Sequence, residues 1–203
     1  MTYTPLAQRM RPNKLSQIVG QKHLLADDAP IARMVLGGYL PSIILHGEAG
    51  IGKTTLAQVL AKTMGRDFYA LSALTLTVKE LRELIDKYHD NLLFEPPIIF
   101  IDEIQDLDNE MLDILLTTQH EAGQKELPFY IFGAGLPSVP TKLGEIKTYT
   151  ERLFSYHPLE RLNDDQTRLA YADPIAKNGG SITQDALAEL VDQSHGYPYF
   201  IQQ

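Results

Sequence analysis

The most specific chemistry in this chain lies in one short loop. Gly47-Glu48-Ala49-Gly50-Ile51-Gly52-Lys53-Thr54 fits the spacing G-x-x-x-x-G-K-[ST], which cradles the phosphates of a nucleotide. The residue types give the reason. Glycines let the backbone turn several N–H groups toward one anion, and a helix that starts at the loop adds its N-terminal dipole. Lys53 brings a mobile positive charge to the β- and γ-phosphates, and the Thr54 hydroxyl is a ligand for Mg²⁺. The candidate nucleotide-binding residues are Gly47, Glu48, Ala49, Gly50, Ile51, Gly52, Lys53, Thr54 and Thr55. The alternative, a glycine-rich turn before a helix, leaves the Lys-Thr register unexplained.

A second constellation stands 49 residues after Lys53, where Ile98-Ile99-Phe100-Ile101 runs into Asp102-Glu103. A carboxylate at a strand end beside a phosphate loop can hold Mg²⁺, usually through water, and the next carboxylate can polarise an attacking water. Asp102 is therefore the candidate metal residue together with Thr54, and Glu103 the candidate general base. Four apolar residues and two acids are a weak signal alone. Paired with the loop, they point to an ATPase that uses ATP/ADP and Mg²⁺.

These residues need elements to place them. Ser42 to His46 reads as a buried strand by its flanks and β-branched content. Lys53 to Met64 has helical apolar spacing and ends at Gly65. Phe68 to Leu71 is a second strand, and Val78, Leu81, Leu84, Ile85 and Tyr88 mark one face of a helix. Pro96-Pro97 leads into the strand before Asp102. Asn109 to Glu121 is a helix, Phe129 to Phe132 a strand ending at Gly133, and Leu153 to His157 a further extended stretch. This alternation predicts an α/β fold, a three-layer P-loop NTPase with a parallel sheet. An irregular lead-in over 1–40 contains a helix from Ile31 to Leu36, and the core covers 41–159. Residues 160–203 read as a partial helical lid, with helices at Asp164 to Ala176 and Thr183 to Ser194, the latter with Ser181-x-x-Gln184 as its capping box.

Composition narrows the function. The chain has 203 residues, 44% hydrophobic and 22% charged, an ordinary globular mixture. It has no cysteine, which excludes disulfides, thiol nucleophiles and Cys metal sites. No apolar run reaches the ~18 residues of a membrane span, and the start lacks a secretory h-region. The expectation is a cytoplasmic protein with no membrane partner. A net charge of −8 argues against a general grip on nucleic acid. The charge is uneven: Arg9, Arg11, Lys14 and Lys22 stand in an acid-free start, and residues 88–124 hold nine acids and no Lys or Arg. Two solvated surfaces, or a basic entry near a polyphosphate facing an acidic metal edge, both fit.

The loop, the hydrophobic-Asp-Glu motif and the helical tail together resemble the AAA+ ATPases. Pro5 to Pro12, Ile18-Val19-Gly20-Gln21-Lys22-His23-Leu24-Leu25, Ser72-Ala73-Leu74-Thr75 and Val78 to Glu83 are similar to the replication-associated recombination protein A (RarA/MgsA) family, over roughly residues 5–104. That family shows a His-Arg pair after the acidic dipeptide, where this chain has Ile104-Gln105-Asp106-Leu107-Asp108 instead. Gly133 to Pro137, Tyr149 to Phe154 and Gly196-Tyr197-Pro198-Tyr199-Phe200 resemble instead the archaeal and STAND-type ATP-binding proteins, so the chain looks like a composite.

These resemblances imply further roles. Val19 and Gly20 would line the adenine pocket, or else form a packed turn, and Pro198 would pack on the adenine. Arg152 falls where an arginine finger would act on a neighbouring subunit in a longer chain, or else is a surface arginine paired with an acid. Ser72 would restrain Glu103, or simply end its strand. The sensor position at the end of the fourth strand is Gly135, which has no side chain to offer. The functions implied are ATP hydrolysis, weak in the absence of sensors, at replicating or recombining DNA. A nucleotide-controlled signalling switch and a non-hydrolysing ATP-binding module are the alternatives.

Overall fold

The computed structural model describes residues 10–38, 41–89, 97–125, 129–146 and 150–201. The stretch with Pro5 and Arg9, along with Asp90, Glu95, Pro96 and Tyr149 and the side chains of Tyr88 and Glu151, lies outside the described residues. Five strands form one parallel sheet: β1 (Ile43–His46), β2 (Phe68–Ser72), β3 (Ile98–Asp102), β4 (Tyr130–Gly135) and β5 (Ser155–Pro158), in the order β2-β3-β4-β1-β5. Two short helices, α1 (Lys22–Leu25) and α2 (Pro30–Leu36), precede it. The crossovers carry α3 (Lys53–Thr63), α4 (Val78–His89), α5 (Asn109–Gln124), α6 (Val139–Ile146) and α7 (Thr150–Leu153). After β5 come α8 (Asp164–Lys177), α9 (Gln184–Ser194) and α10 (Pro198–Ile201).

Strand geometry explains why the apolar runs are continuous. Alternate residues point to opposite faces, and both faces are covered. Ile43, Leu45, Ile98, Phe100, Phe132 and Ala134 pack with Leu56, Ala57 and Leu60 of α3. Ile44, Ile99, Ile101 and Ile131 pack with Leu81 of α4 and Leu112, Leu115 and Leu116 of α5. This is the expected three-layer α/β architecture.

The structure corrects the sequence reading in four places. β4 does not stop at Gly133 but runs to Gly135, pairing Gly133 with Ile44, Ala134 with Leu45 and Gly135 with His46. A Cβ on Gly133 would approach Ile44 Cδ1 at 2.6 Å and Ile104 Cδ1 at 2.8 Å. Here glycine marks close packing inside a strand rather than its end. α6 and α7 are unforeseen. α6 contains Pro140 and Gly144, which lower helix propensity, yet Pro140 is in the first turn, where it is tolerated. Val139 and Leu143 bury one face of that helix. β5 begins at Ser155 because Leu153 closes α7. The cap of α9 is Thr183, which accepts from Ala186 N at 3.3 Å, and not Ser181. The reciprocal capping box belongs to α8, between Asn163 and Gln166.

His157, in the middle of β5, is 5% exposed, and its Nε2 has no hydrogen-bond partner among the described residues. Burial, with smaller contributions from His46 and His23, pushes its imidazole from 6.5 down to about 4. The native ring stays neutral over a range where the unfolded chain's ring takes up a proton. Stability should therefore fall as pH drops from 6.5 to about 4, with no further loss from this group below that. Denaturant midpoints across that window should flatten in His157→Leu. An unchanged slope in the variant would assign the acid sensitivity to other groups.

Candidate nucleotide site

Parallel pairing brings the carboxyl ends of the strands to one edge, where α/β folds of this kind bind ligands. β1 pairs with β4 and β5, and β4 pairs with β3, so His46, Gly135, Pro158 and Asp102 end the strands along that edge. The loop leaves β1 there. Gly47 N donates to Gly135 O at 3.1 Å, continuing the ladder by one rung before the chain turns. Gly52 takes φ +99, a conformation that favours glycine, and delivers the chain into α3. That helix has no side-chain N-cap and no acid in its first turn. Its leading N–H groups are thus available to an anion.

Lys53 is buried, and its Nζ donates to Gly47 O and Glu48 O, both at 2.9 Å. Burial pulls its ammonium below the usual lysine value, while Glu103 and Asp102 act in the opposite sense. The Thr54 hydroxyl donates to Asp102 Oδ2 at 3.1 Å. A hydroxyl and a carboxylate at that separation form an oxygen pair suited to a hard divalent cation. Asp102 Oδ1 accepts from Glu103 N at 3.2 Å. Glu103 itself has φ 54, a left-handed conformation unusual for a side-chain-bearing residue, and opens the 3₁₀ turn Ile104–Asp106.

The helices after β5 fold back onto the loop. Arg161 grips the Glu48 carboxylate with two bonds, Nε to Oε2 at 2.5 Å and Nη2 to Oε1 at 2.9 Å. The Tyr197 hydroxyl donates to the same Oε2 at 2.7 Å, and the Arg161 guanidinium lies 4.2 Å from the Tyr197 ring centroid. Arg161 and then Tyr197 hold the Glu48 carboxyl at about 2, well below the usual carboxylate range. Tyr199 N donates to Gly50 O at 3.1 Å. A Cβ on Gly50 would sit 3.0 Å from that of Tyr199, so the loop and the start of α10 are in contact.

The structure brings Lys53, Thr54, Asp102 and Glu103 together. Val19 and Gly20 are half-buried, and Gly20 lies against the segment after β5: a Cβ on it would meet Leu162 Cδ2 at 2.5 Å, and Gln21 exchanges hydrogen bonds with the Glu160 backbone. Pro198 is half-buried at the start of α10, beside the Tyr199 that contacts the loop. Ala49 is exposed, Ile51 is buried in the core beneath the loop, and Thr55 is half-buried in the first turn of α3. Arg152 lies exposed on α7, and no described hydrogen bond or ion pair joins it to the loop. Ser72 ends β2 opposite Asp102, but the partner of the Glu103 carboxylate is Gln105, whose Nε2 donates to Oε2 at 2.6 Å. Arg11, Lys14 and Lys22 are exposed, as are Asp106, Asp108, Glu110, Asp113 and Glu121. Of the acid-rich stretch, the half-buried Asp102 and Glu103 stand at the strand ends beside the loop. Sequence reasoning missed Gln105, Arg161 and Tyr197 as site residues. The one available signal was the stretch Ile104 to Asp108, which stands where the resembling family has a His-Arg pair.

Residues 43–135 match the family described as "ATPase family associated with various cellular activities (AAA)". Over 114 residues the chain is 46% identical to an uncharacterized AAA domain-containing protein of Mycobacterium tuberculosis, covering 56% of this chain and 25% of that protein. It is 43% identical over 116 residues to replication-associated recombination protein A of Escherichia coli, covering 57% of this chain and 26% of that protein. The chain thus spans about a quarter of the length of these relatives. In fold it is similar to the RuvB Holliday junction branch migration motor of Thermotoga maritima, with a TM-score of 0.75 and 19% identity over 95% of this chain and 63% of that one. The P-loop NTPase fold is thereby shown; residues 43–135 are similar to the AAA family, and the N-terminal half is similar to RarA. None of these likenesses supports the resemblance of the second half to STAND-type proteins.

Arg161 and Tyr197 together hold the C-terminal helices on the loop. Arg161→Ala removes a bidentate partner and a ring contact, and amide exchange in residues 197–201 should accelerate relative to β1 and β3. Equal protection in parent and variant would mean that packing around Leu162 and Gly196, not this ion pair, holds the contact.

Proposed function

We propose that this chain binds ATP with Mg²⁺ at the loop 47–55 and hydrolyses it, with Glu103 as the base. The observation that carries the reading is the pairing of the Thr54 hydroxyl with the Asp102 carboxylate at 3.1 Å, next to a helix N-terminus that no side chain caps. Bound Mg²⁺ would supply charge neutralisation between the β- and γ-phosphates, held by Thr54 and Asp102. Lys53 exchanges its two carbonyl partners for phosphate oxygens, and the loop and α3 N–H groups orient the polyphosphate. Glu103 accepts the proton of the water that attacks the γ-phosphate as the bond to the ADP oxygen breaks. Val19, Gly20 and Pro198 form the base-facing side of the pocket, which residues 160–203 cover as a lid. Arg152, being exposed, serves a neighbouring subunit's nucleotide in a longer assembly.

The likeness to replication-associated recombination protein A supports placing this turnover at DNA under replication or recombination, in the cytoplasm. Forked and single-stranded DNA should then raise the ATPase rate, which separates this role from a nucleotide-controlled switch, where nucleotide binds and turnover stays slow and indifferent to DNA.

Two outcomes test the site. ATP with Mg²⁺ at 100 times its dissociation constant should stabilise the protein by ~2.7 kcal/mol, read as a rise in Tm, and Lys53→Ala should lose most of that rise. An undiminished rise in the variant would put the nucleotide elsewhere. Glu103→Gln should keep the rise and lose at least ~100-fold in turnover, the lower range for a general base. Turnover equal to the parent's would assign water activation to another group. If Arg152 acts in trans, turnover per subunit should increase with protein concentration and lose that increase in Arg152→Ala.

A further inference from the structure

A base must be aimed as well as ionised, and the group that aims Glu103 comes from an unexpected place. The end of β4 offers no side chain, since Gly135 stands there, and Ser72 is not the carboxylate's partner. Gln105, in the 3₁₀ turn after β3, reaches both positions. Its Nε2 donates to Glu103 Oε2 at 2.6 Å, and its Oε1 accepts from Leu136 N, the first residue after β4, at 3.1 Å. The Lys142 ammonium of α6 donates to the Gln105 main-chain oxygen. The two ends of the carboxamide face opposite demands, an acceptor on one side and a donor on the other. Turning the amide over would set oxygen against carboxylate and N–H₂ against N–H.

Gly135 shows that this arrangement is built in. A Cβ there would lie 2.1 Å from Gln105 Oε1 and 2.6 Å from Val139 Cγ2. The space that a side chain at the end of β4 would need already holds the Gln105 amide. Glu103 adds a second sign. Its left-handed φ of 54 is a conformation that costs free energy in a side-chain-bearing residue. The turn that maintains it is closed by Asp106 N donating to Glu103 O at 2.7 Å, and Gln105 lies within that turn.

We propose that Gln105 is the positioning residue for Glu103. It supplies from the β3 side the polar group that the end of β4 lacks, and it ties the carboxylate to β4 and α6. This rests on the reading of Glu103 as the base. Gln105 acts through Glu103 and not on the nucleotide, so its loss should lower kcat and spare nucleotide affinity. The same contact, together with Val139 Cγ2, leaves no room for a side chain at position 135.

The experiment measures affinity for a fluorescent ATP analogue, and kcat at saturating ATP and Mg²⁺, in the parent, Gln105→Met, Gln105→His, Glu103→Gln and Gln105→Met/Glu103→Gln. Methionine keeps the length and removes the amide, while histidine restores an N–H donor. The expected result is a kcat about 10-fold or more lower in Gln105→Met with the dissociation constant within about 3-fold, partial recovery in Gln105→His, and no further loss when Gln105→Met is added to Glu103→Gln. Unchanged kcat in Gln105→Met, beside a parent that Glu103→Gln inactivates, would overturn the positioning role and leave the ATPase reading intact. A parallel loss of affinity and rate would also overturn it, assigning Gln105 to the shape of the pocket. A parent whose turnover Glu103→Gln does not touch would overturn the base assignment itself, and the positioning role with it. A thermal cycle tests the shared space without turnover: Gly135→Ala should lower Tm more in the parent than in Gln105→Ala. Additive losses would show that the amide does not occupy the space claimed for it.

Discussion

The whole site depends on β4 lying between β1 and β3 in parallel register. That pairing stops His46 and Gly135 side by side and brings Asp102 out one strand further along the same edge. The extra rung from Gly47 N to Gly135 O fixes where the loop leaves the sheet. From there Gly52 turns the chain into α3, and Thr54 arrives within hydrogen-bond distance of Asp102, 48 residues later in the sequence. A slip of one residue in β4 would exchange its core faces, moving Phe132 and Ala134 off the α3 side of the sheet. The geometry of the candidate site and the core packing therefore cannot be changed independently at this edge.

The legible and illegible parts of the sequence divide along that edge. The loop residues and Asp102-Glu103 are contiguous, and their chemistry follows from type and spacing, so they could be read before any fold was known. The strands were legible because a strand buried on both faces is apolar at every position. Gly133 was misread because a terminating glycine and one held by Ile44 and Ile104 look alike without the neighbours. Arg161, Tyr197 and Gln105 were out of reach for the same reason. Each has its role through a partner that only tertiary structure supplies: Glu48 is 113 residues from Arg161, and Leu136 is 31 from Gln105. The helix containing Pro140 escaped because the burial of Val139 and Leu143 outweighs a poor local propensity.

The acidic balance of the chain takes on a meaning at the loop that net charge does not convey. The Lys53 ammonium is buried with Asp102 and Glu103 as its electrostatic partners, yet its hydrogen bonds go to two backbone carbonyls. Most of the remaining acids of that region are on the exposed faces of α5 and the turn before it, in water, where they exert little force on the site. The local field at the strand ends is set by these three groups and by the N-terminus of α3. In the proposed function a polyphosphate would meet a lysine and a helix N-terminus, with a carboxylate pair that would need a divalent cation to tolerate it.

The loop is already engaged by the chain's own groups. Lys53 occupies the Gly47 and Glu48 carbonyls, Glu48 is held by Arg161 and Tyr197, and Gly50 O accepts from Tyr199 N. Binding a polyphosphate as proposed would exchange the lysine's internal bonds for phosphate contacts, so the net gain would be the difference between two hydrogen-bonded states and not the sum of new contacts. The contacts from the segment after β5 go to Glu48 and Gly50, whereas the groups proposed to face phosphate are Lys53, Thr54 and the N–H groups. On that proposal nucleotide would enter without first breaking the Glu48 clamp. Any change in loop shape that comes with it is felt directly by Arg161, Tyr197 and Tyr199. A ligand shifts a conformational equilibrium only by its differential affinity for the two states. For the nucleotide proposed here that difference would be located at two loop residues, Glu48 and Gly50, which lie between the proposed phosphate contacts and the segment after β5.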